Sequence, residues 1–455
     1  MKRLSILILS LTSTLLFSQV NTNKCITTKL VTQEMLSNKD YKDARNNIIK
    51  PNTNIEKSTI TIPVVIHIIH RQSHSNIGTG TNISNAQIED ALRILNEDFS
   101  KTNPEFPSPP RNTFNNYWGN PDIEFCLATT DPNGNSTSGI IRTATSQSNW
   151  NADDDDDTDP CHEANGMKKT SCGGKDGWDP KRYLNIWICD LINSSGMGMT
   201  LGYAYLPGLL ANPFNTSDDY KDGLVVDYRY FGTIGIAASS SDGRTATHEI
   251  GHYLGLMHTF CEQTDNQGNL ICCDNDNNIF GGFVDDTPAT KDIYFGPVTS
   301  STNNNTCNDL SYSNAFNTNV LDMDENFMAY SANTWMFSQG QVDAMLNVLN
   351  RTESNAGRLS LKNSSVTTNC SGIISGISNI PLHNINVYPN PTNGLLNITS
   401  NENINAISIC NIIGKQVLNT ENKRAINISS LEDGIYFINI TTEKGIYTER
   451  IILEK

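Results

Sequence analysis

Long hydrophobic runs are nearly absent from this 455-residue chain, and acidic residues outnumber basic ones. The one sustained apolar run lies between Leu4 and Phe17, and it is too short to cross a bilayer comfortably. Lysine and arginine number 32 against 48 aspartates and glutamates, so the net charge is −16. Such a charge disfavours nucleic acid and anionic membranes as partners. We therefore expect no transmembrane segment and no nucleic-acid partner.

The two ends of the apolar run indicate export. Met-Lys-Arg precedes it and Ser-Gln follows it, a pattern that predicts a secretory signal peptide at residues 1–18. Residues 19–58 are polar and are interpreted as a pro-segment. The chain holds 11 cysteines, which in an exported protein predict disulfides. The adjacent Cys272 and Cys273 should take different partners, but the spacing does not determine the pairing.

Three histidines lie within the eleven-residue segment 248–258. His248 and His252 are four residues apart, so on a helix they share one face and can point at a single metal ion. Gly255 tolerates the left-handed conformation that ends many helices. The chain can then turn and return His258 as a third ligand. Three ligands with an open fourth position are typical of a catalytic zinc site rather than a structural one.

The residue beside the first histidine is Glu249, which can hold a water molecule and take its proton. The complete string reads His-Glu-Ile-Gly-His-Tyr-Leu-Gly-Leu-Met-His. It resembles the metzincin clan of zinc endopeptidases.

Apolar strands and amphipathic helices surround this motif. Strands are predicted at 60–69, 123–128 and 183–189, and helices are predicted to begin at Ser84, with a capping box to Gln87, and at Ser338. Together they predict an α/β fold over 59–352: a metzincin-type catalytic domain with a twisted mixed sheet and an active-site helix. The acidic run Asp153–Asp157 predicts either a solvated loop or a calcium loop.

The C-terminal part of the chain changes in style. Residues 353–378 are rich in serine, asparagine and glycine and predict a linker. Residues 379–455 contain short alternating strands and predict a small all-β sandwich. The tail resembles the sorting domain of bacterial type IX secretion cargo; the carrying residues are Val387-Tyr-Pro-Asn-Pro391, Gly394, Gly414-Lys-Gln-Val417, Leu431–Ile438 and Ile451–Lys455.

The tail resemblance implies a location outside the cell. It implies passage through the periplasm and outer membrane of a Gram-negative-type bacterium, with the secretion machinery as partner and the tail normally removed. The final location stays open between the medium and the cell surface. An ordinary carbohydrate-binding or adhesive sandwich is the alternative for this domain.

Motifs on both sides of the histidine string carry a second resemblance. They are Leu201-Gly-Tyr-Ala204, Gly243-Arg244, His258-Thr-Phe260, Asp285-Asp-Thr-Pro288, Asn326-Phe-Met-Ala-Tyr-Ser331, Met336-Phe337 and Gly340-Gln341. Together they resemble the pappalysin (cytophagalysin) family of metzincins over roughly 59–351. By that resemblance Met328 lies beneath the zinc as the Met-turn residue, and Tyr330 donates a hydrogen bond to the oxyanion of the reacting carbonyl.

The resemblance also implies a latency device. Family members carry a pro-segment cysteine whose thiolate occupies the open zinc position until the segment is cut away, and Cys25 stands in that place. A plain unpaired or disulfide-bonded cysteine is the alternative. Here Ile26 follows it, where members usually have glycine. Asp285, Asp286 and Thr287 stand where members bind calcium, with surface turn residues as the alternative.

The chain departs from the family pattern at two further positions. Members often have aspartate after the Met-turn methionine, where this chain has Ala329. Members that cut before arginine or lysine carry an acid where this chain has Asn333, which predicts weaker or different selectivity after the cut.

The expected function is a secreted zinc-dependent endopeptidase of proteins or peptides, made as a latent precursor. The alternative is a non-catalytic exported adhesin or binding protein on a protease-like scaffold. Glu249 argues against it, because a pure binding scaffold has no use for a general base.

Overall fold

The computed structural model describes residues 24–48, 59–152, 161, 164–193, 199–273, 284–312, 316–367, 386–400, 403–411, 416–421, 423–442 and 445–455. The predicted signal peptide, the acidic run Asp153–Asp157 and Cys370 lie outside these residues. The chain divides into two units, 1–370 and 371–455. Among the described helices, none combines the length and apolar character needed to span a bilayer.

A mixed β-sheet forms the centre of the first unit. Its strands are β1 (Ile60–Arg71), β2 (Ile123–Leu127), β3 (Ile140–Thr145), β5 (Leu184–Cys189), β7 (Gly202–Ala204) and β8 (Leu224–Asp227). The order is β2-β1-β5-β8-β7, and β3 extends the pairing along the second half of β1. All pairs are parallel except β7 with β8. A short parallel pair, β4 (Trp150–Asn151) with β6 (Leu191–Ile192), lies apart from it.

Strand β1 is apolar on both faces because the sheet is covered on both faces. Val64, Val65 and Ile66 are all fully buried. A parallel strand that is covered on both faces has a nearly continuous apolar sequence. It lacks the alternation of apolar and polar residues that a half-exposed strand shows. The predicted mixed sheet is confirmed.

Helix α3 (Asn85–Phe99) begins as predicted at Ser84, whose side chain accepts a hydrogen bond from the Gln87 backbone N–H. The second half of the predicted capping box is missing. The Gln87 side chain instead donates to the carbonyls of Tyr228 and Phe231, both at 3.0 Å. Hydrogen bonds to residues distant in sequence therefore fix the Gln87 side chain, which the local pattern had assigned to the helix N-terminus.

Two further helices complete the helical layer of the first unit. Helix α4 (Thr245–Tyr253) packs against α3 and against the strands β7 and β8, so it lies behind the antiparallel edge strand. Helix α5 (Gln339–Asn350) begins with a complete capping box between Ser338 and Gln341. Helix α4, which carries His248 and His252 and is called the motif helix below, thus lies between the sheet edge and the other helices.

Residues of the predicted pro-segment form two helices on the first unit, α1 (Thr27–Ser37) and α2 (Lys39–Asn46). Leu30, Val31 and Tyr41 are buried in one apolar cluster with residues of the sheet layer. A segment that reads as polar therefore buries a narrow apolar face.

The second unit is all-β, as predicted. One antiparallel sheet joins β9 (Asn386–Tyr388), β10 (Leu395–Thr399) and β13 (Ala425–Asn427). The other joins β11 (Ile404–Asn411), β12 (Gln416–Glu421), β14 (Gly434–Thr442) and β15 (Gly445–Leu453). Both sheets contribute to a single apolar cluster that includes Leu396, Ile407 and Ile438.

The first unit continues past residue 352, where the sequence predicts a linker. Helix α6 (Leu359–Lys362) packs on β1 and α5. The Arg358 guanidinium makes two hydrogen bonds of 2.9 Å with the Asp222 carboxylate and a third of 2.8 Å with the carbonyl of Tyr253, the last residue of α4. Both charged side chains are about 1% exposed. The structure therefore places part of the predicted linker under the motif helix.

Replacing Arg358 with alanine should lower the free energy of unfolding by about 3–5 kcal/mol, because it leaves a buried carboxylate without its partner. Urea unfolding of the full chain measures this change. The control is Ser360→Ala, an exposed position on α6, which should shift stability by less than about 0.5 kcal/mol. Equal stabilities of the two variants would contradict the role given to the ion pair.

Candidate active site

Helix α4 ends in a turn that reverses the chain toward the third histidine. Gly255 has φ +97°, a left-handed conformation that favours glycine. Its N–H donates to the His252 carbonyl at 2.8 Å, and the N–H of Leu256 donates to the Gly251 carbonyl at 2.9 Å. These two bonds are the Schellman pattern of a helix C-terminus. The predicted turn at Gly255 is therefore present.

The turn brings three imidazoles to one point. The Nε2 atoms of His248, His252 and His258 lie 3.1–3.2 Å from one another. Three nitrogens at about 2.0–2.1 Å from one tetrahedral ion lie about 3.3 Å apart, so the residues fit a zinc ion. The Cys25 sulfur completes the group, and the four ligand atoms all lie within 4.8 Å.

Each imidazole is fixed through its other nitrogen. Nδ1 of His248 lies 2.7 Å from the Phe327 carbonyl, and Nδ1 of His252 lies 2.7 Å from the Leu256 carbonyl. A carbonyl only accepts, so Nδ1 carries the proton and Nε2 presents its lone pair. Burial lowers the pKa of His248 to about 3 and that of His252 well below its usual range. Both rings are therefore neutral, as metal ligands must be.

The third ring has a charged partner. Nδ1 of His258 lies 2.8 Å from the Glu262 carboxylate. Glu262 also accepts a hydrogen bond from the hydroxyl of Thr28, a residue of the predicted pro-segment. One carboxylate thus links a histidine of the motif to the pro-segment. Glu262 is not among the residues predicted from the sequence, although its position four residues after His258 is a usable signal.

Glu249 is fully enclosed beside the three rings. It is 1% exposed, and burial raises the pKa of its carboxyl well above the usual range. The Cys25 sulfur lies 3.4 Å from Oε2 of Glu249. A carboxylate with a raised pKa holds a proton more strongly, which suits a general base.

Met328 lies directly beneath α4 and is completely buried. A Cβ atom on Gly251 would stand 2.3 Å from the Met328 sulfur, so only glycine at that position lets the methionine approach the helix. The Asn326 side chain accepts a hydrogen bond from the Met328 N–H at 2.9 Å. The methionine sulfur therefore packs against the backbone of α4 at Gly251, next to His252.

Tyr330 faces the histidines from the other side. Its ring centroid lies 5.0 Å from that of His258 and 5.7 Å from that of His248. Its hydroxyl accepts from the Cys25 N–H at 3.1 Å and donates to the Cys25 carbonyl at 3.2 Å. Both of these hydrogen bonds join the phenol to Cys25, a residue of the predicted pro-segment.

Residues 24–27 of the predicted pro-segment cross the cleft along edge strand β7. The Leu201 N–H donates to the Lys24 carbonyl at 2.8 Å, and Cys25 pairs with Gly202 in a parallel bridge. The Thr27 hydroxyl donates to the Ala204 carbonyl at 2.9 Å. The edge of β7, where an extended peptide could pair, is therefore occupied by residues 24–27 of the chain itself.

Neither Lys24 nor Thr27 could be singled out from the sequence. The Lys24 ammonium donates to the Tyr330 carbonyl at 2.7 Å and lies 5.6 Å from the Phe295 ring. Ile26, where the family usually has glycine, has φ −106°, which any residue adopts, and its side chain is buried. The departure from glycine therefore introduces no backbone strain here.

Disulfides hold the loop that follows His258. Cys261 pairs with Cys273, and Cys272 pairs with Cys307, so the adjacent cysteines take different partners, as predicted. A third bridge joins Cys161 and Cys172.

Comparison with known proteins agrees with this geometry. Residues 169–350 match the family model described as "Pregnancy-associated plasma protein-A", and residues 386–454 match "Secretion system C-terminal sorting domain". Mature mirolysin of Tannerella forsythia in complex with a cleaved peptide is 32% identical and has a TM-score of 0.52. The match covers 69% of this chain and 100% of that one.

The chain belongs to the pappalysin family. A promirolysin mutant of Tannerella forsythia is 28% identical with a TM-score of 0.53, over 75% of this chain and 99% of that one. An extracellular metalloprotease of Arthroderma gypseum is 25% identical over 308 residues, which are 67% of this chain and 78% of the relative. None of these matches supports the adhesin alternative.

This pappalysin is an exported metalloendopeptidase made as a precursor. The family implies a metal that is typically zinc, and a protease implies a peptide substrate. The sorting domain implies the secretion machinery as a partner.

The remaining predicted site residues have other neighbours. Asp286 accepts hydrogen bonds from the Ser338 hydroxyl at 2.6 Å and the Gly340 N–H at 2.8 Å, so its carboxylate joins the start of α5. Thr287 is buried beside it. The Asn333 side chain accepts from the Val298 N–H at 2.6 Å and donates to the Val298 carbonyl at 3.1 Å.

Replacing Glu262 with alanine should weaken zinc binding by about 10–100-fold, because His258 loses the acceptor that orients it. Competition with a fluorescent chelator measures the zinc affinity. Glu262→Gln keeps an acceptor oxygen and serves as the control, with a smaller loss expected. Unchanged affinity in the alanine variant would contradict an orienting role.

Proposed function

We propose that His248, His252 and His258 bind a catalytic zinc ion and that Glu249 and Tyr330 perform the proton transfer and charge stabilisation of peptide hydrolysis. The observation that carries this proposal is the meeting of three Nε2 atoms within 3.2 Å, with two rings held by backbone carbonyls. Zinc, when bound, polarises the scissile carbonyl and lowers the pKa of water toward neutrality.

The chain's own residues supply the remaining steps. Glu249 takes the proton of the attacking water and delivers it to the leaving amine. The Tyr330 hydroxyl, freed from Cys25, donates to the developing oxyanion, a contribution of about 2.7–4 kcal/mol for a well-placed donor. Strand β7 pairs with the backbone of an extended substrate, which orients the bond without reading its side chains. Met328 keeps the floor beneath the rings apolar.

We also propose that Cys25 blocks the metal until the pro-segment is removed. Two observations support this proposal. The Cys25 sulfur lies within 4.8 Å of the ligand nitrogens of the three imidazoles, and the Tyr330 hydroxyl makes two hydrogen bonds with the Cys25 backbone. In this account residues 1–18 are a signal peptide removed on export, and residues 19–58 are a pro-segment removed on activation. The tail 379–455 directs passage through the outer membrane and is then cut away.

Calcium at Asp285, Asp286 and Thr287 is a further proposal from the sequence pattern. Oxygen ligands suit that ion. The Asp286 carboxylate accepts hydrogen bonds from the start of α5, which supports a structural role for this loop. A bound calcium ion would stabilise the loop in addition to these hydrogen bonds.

Glu249→Ala should reduce casein hydrolysis by about 10²–10⁴-fold while zinc content stays at one ion per chain, because the base is lost and the ligands remain. Metal analysis and a casein assay on the processed protein check both points. Glu89→Ala, an exposed acid on α3, is the control. Equal hydrolysis by wild type and Glu249→Ala would favour the binding-protein alternative.

Cys25→Ala should give premature or unstable activity, because the fourth metal position opens to water before processing. Activity of the freshly isolated precursor on a short fluorogenic peptide is the readout. Cys410→Ala removes a free cysteine of the second unit and should behave as wild type. A Cys25→Ala precursor that is as latent as the wild-type precursor would contradict the proposed blocking role.

Selectivity for the residue after the cut should be weaker for arginine and lysine than in relatives with an acid at position 333. The missing charge-assisted bond is worth roughly 1.5–3 kcal/mol. Profiling with a peptide library measures the preference, and Asn333→Asp should increase it. A wild-type profile dominated by arginine would refute the prediction. The exposed Asp242 lines the pocket beside Cys25, and it would then be the next candidate for the acid that pairs with arginine.

A further inference from the structure

The pro-segment contacts the first unit in two separate places. Lys24 to Thr28 lie in the cleft, against Tyr330, β7 and Glu262. Helices α1 and α2 lie instead on the segment 205–221, which follows β7 along the chain. We call this segment the anchor surface.

Apolar packing holds the helices on the anchor surface. Leu30, Val31 and Tyr41 share one buried cluster with Tyr205, Leu206 and Leu209. The Tyr41 ring is fully buried and lies against Gly208, where an added Cβ would stand 2.9 Å from the ring. A buried aromatic side chain seated in a pocket is the kind of contact that dominates binding energy.

Polar contacts surround this apolar centre. The Lys221 ammonium donates to the Glu34 carboxylate at 2.6 Å, and both side chains are mostly shielded from solvent. The Arg45 guanidinium donates to the Pro207 carbonyl at 3.1 Å. The Asn212 amide donates to the Asp40 carboxylate at 2.8 Å. None of these contacts includes Cys25 or a histidine of the motif.

We propose that the pro-segment, once cut from the chain after residue 48, stays bound to the anchor surface as a separate inhibitory peptide. The inference rests on the proposed function and adds its regulation. Anchoring and blocking are separate tasks: α1 and α2 provide the affinity, and Cys25 closes the metal. Because most affinity differences lie in the dissociation rate, a buried apolar anchor makes release slow. Activation then requires removal or destruction of the peptide as well as the cut.

The experiment uses the full chain with Glu249→Ala, so that catalysis cannot remove the peptide. A recognition sequence for a specific protease is inserted between Ile48 and Thr59, the chain is cut there, and gel filtration shows whether the N-terminal fragment co-elutes. We expect co-elution, also with Cys25→Ala and after zinc is removed with a chelator. A fragment that separates at once on cutting, or on Cys25→Ala alone, would overturn the proposal.

The anchor itself is tested by substitutions in the helices. Tyr41→Ala should speed fragment dissociation at least about tenfold, as expected when a buried aromatic anchor is lost. Lys42→Ala, exposed on the same helix, is the matched control and should leave dissociation unchanged. Glu34→Gln and Lys221→Ala each remove the ion pair with little effect on packing, and both should speed release. Equal dissociation in all four variants would refute the anchor.

A chain that keeps Glu249 links retention to inhibition. After the cut it should stay latent toward casein until the fragment is stripped off. The retention measurement needs no catalysis, so an inert stripped protein would refute the proposed function alone. Immediate fragment loss with full activity would refute only the present inference.

Discussion

Three imidazole lone pairs must meet at one point, and most of the catalytic unit serves that requirement. A protonated ring would repel a cation and its two neighbours, so the rings have to be neutral and oriented. Burial keeps His248 and His252 neutral, and an acceptor on each Nδ1 turns Nε2 toward the centre. The helix must also end before the left-handed Gly255, since a continuing helix would carry His258 away from the other two histidines.

The sheet edge connects this centre to regulation. Strand β7 is the edge strand of the sheet beside the rings, and an edge strand can pair with an extended peptide. In this structure the peptide is residues 24–27 of the chain, which bring Cys25 beside the three imidazoles and are followed by two helices on the neighbouring surface. Under the proposed function a substrate needs the same edge, so binding of the substrate and of the predicted pro-segment exclude each other.

Local patterns predicted local structure well. The four-residue spacing of His248 and His252, the glycine stop and the apolar run of β1 are short-range features, and each appears as expected. Gln87 and Arg358 were misjudged for a different reason. Their neighbours in sequence suggest a capping side chain and a linker, whereas distant partners, the carbonyl of Tyr228 and the carboxylate of Asp222, determine where they lie.

The sequence alone determined the metal-binding string, the exported two-unit organisation and the family, because these follow from residue identity and spacing along the chain. Only the tertiary structure decided which partner orients each imidazole, how Cys25 enters the cleft and which surface receives the pro-segment helices. Such contacts join residues as far apart as Cys25 and Tyr330, 305 positions along the chain. The spacing of residues along the chain does not reveal this proximity, because the packing of the whole core brings the two residues together.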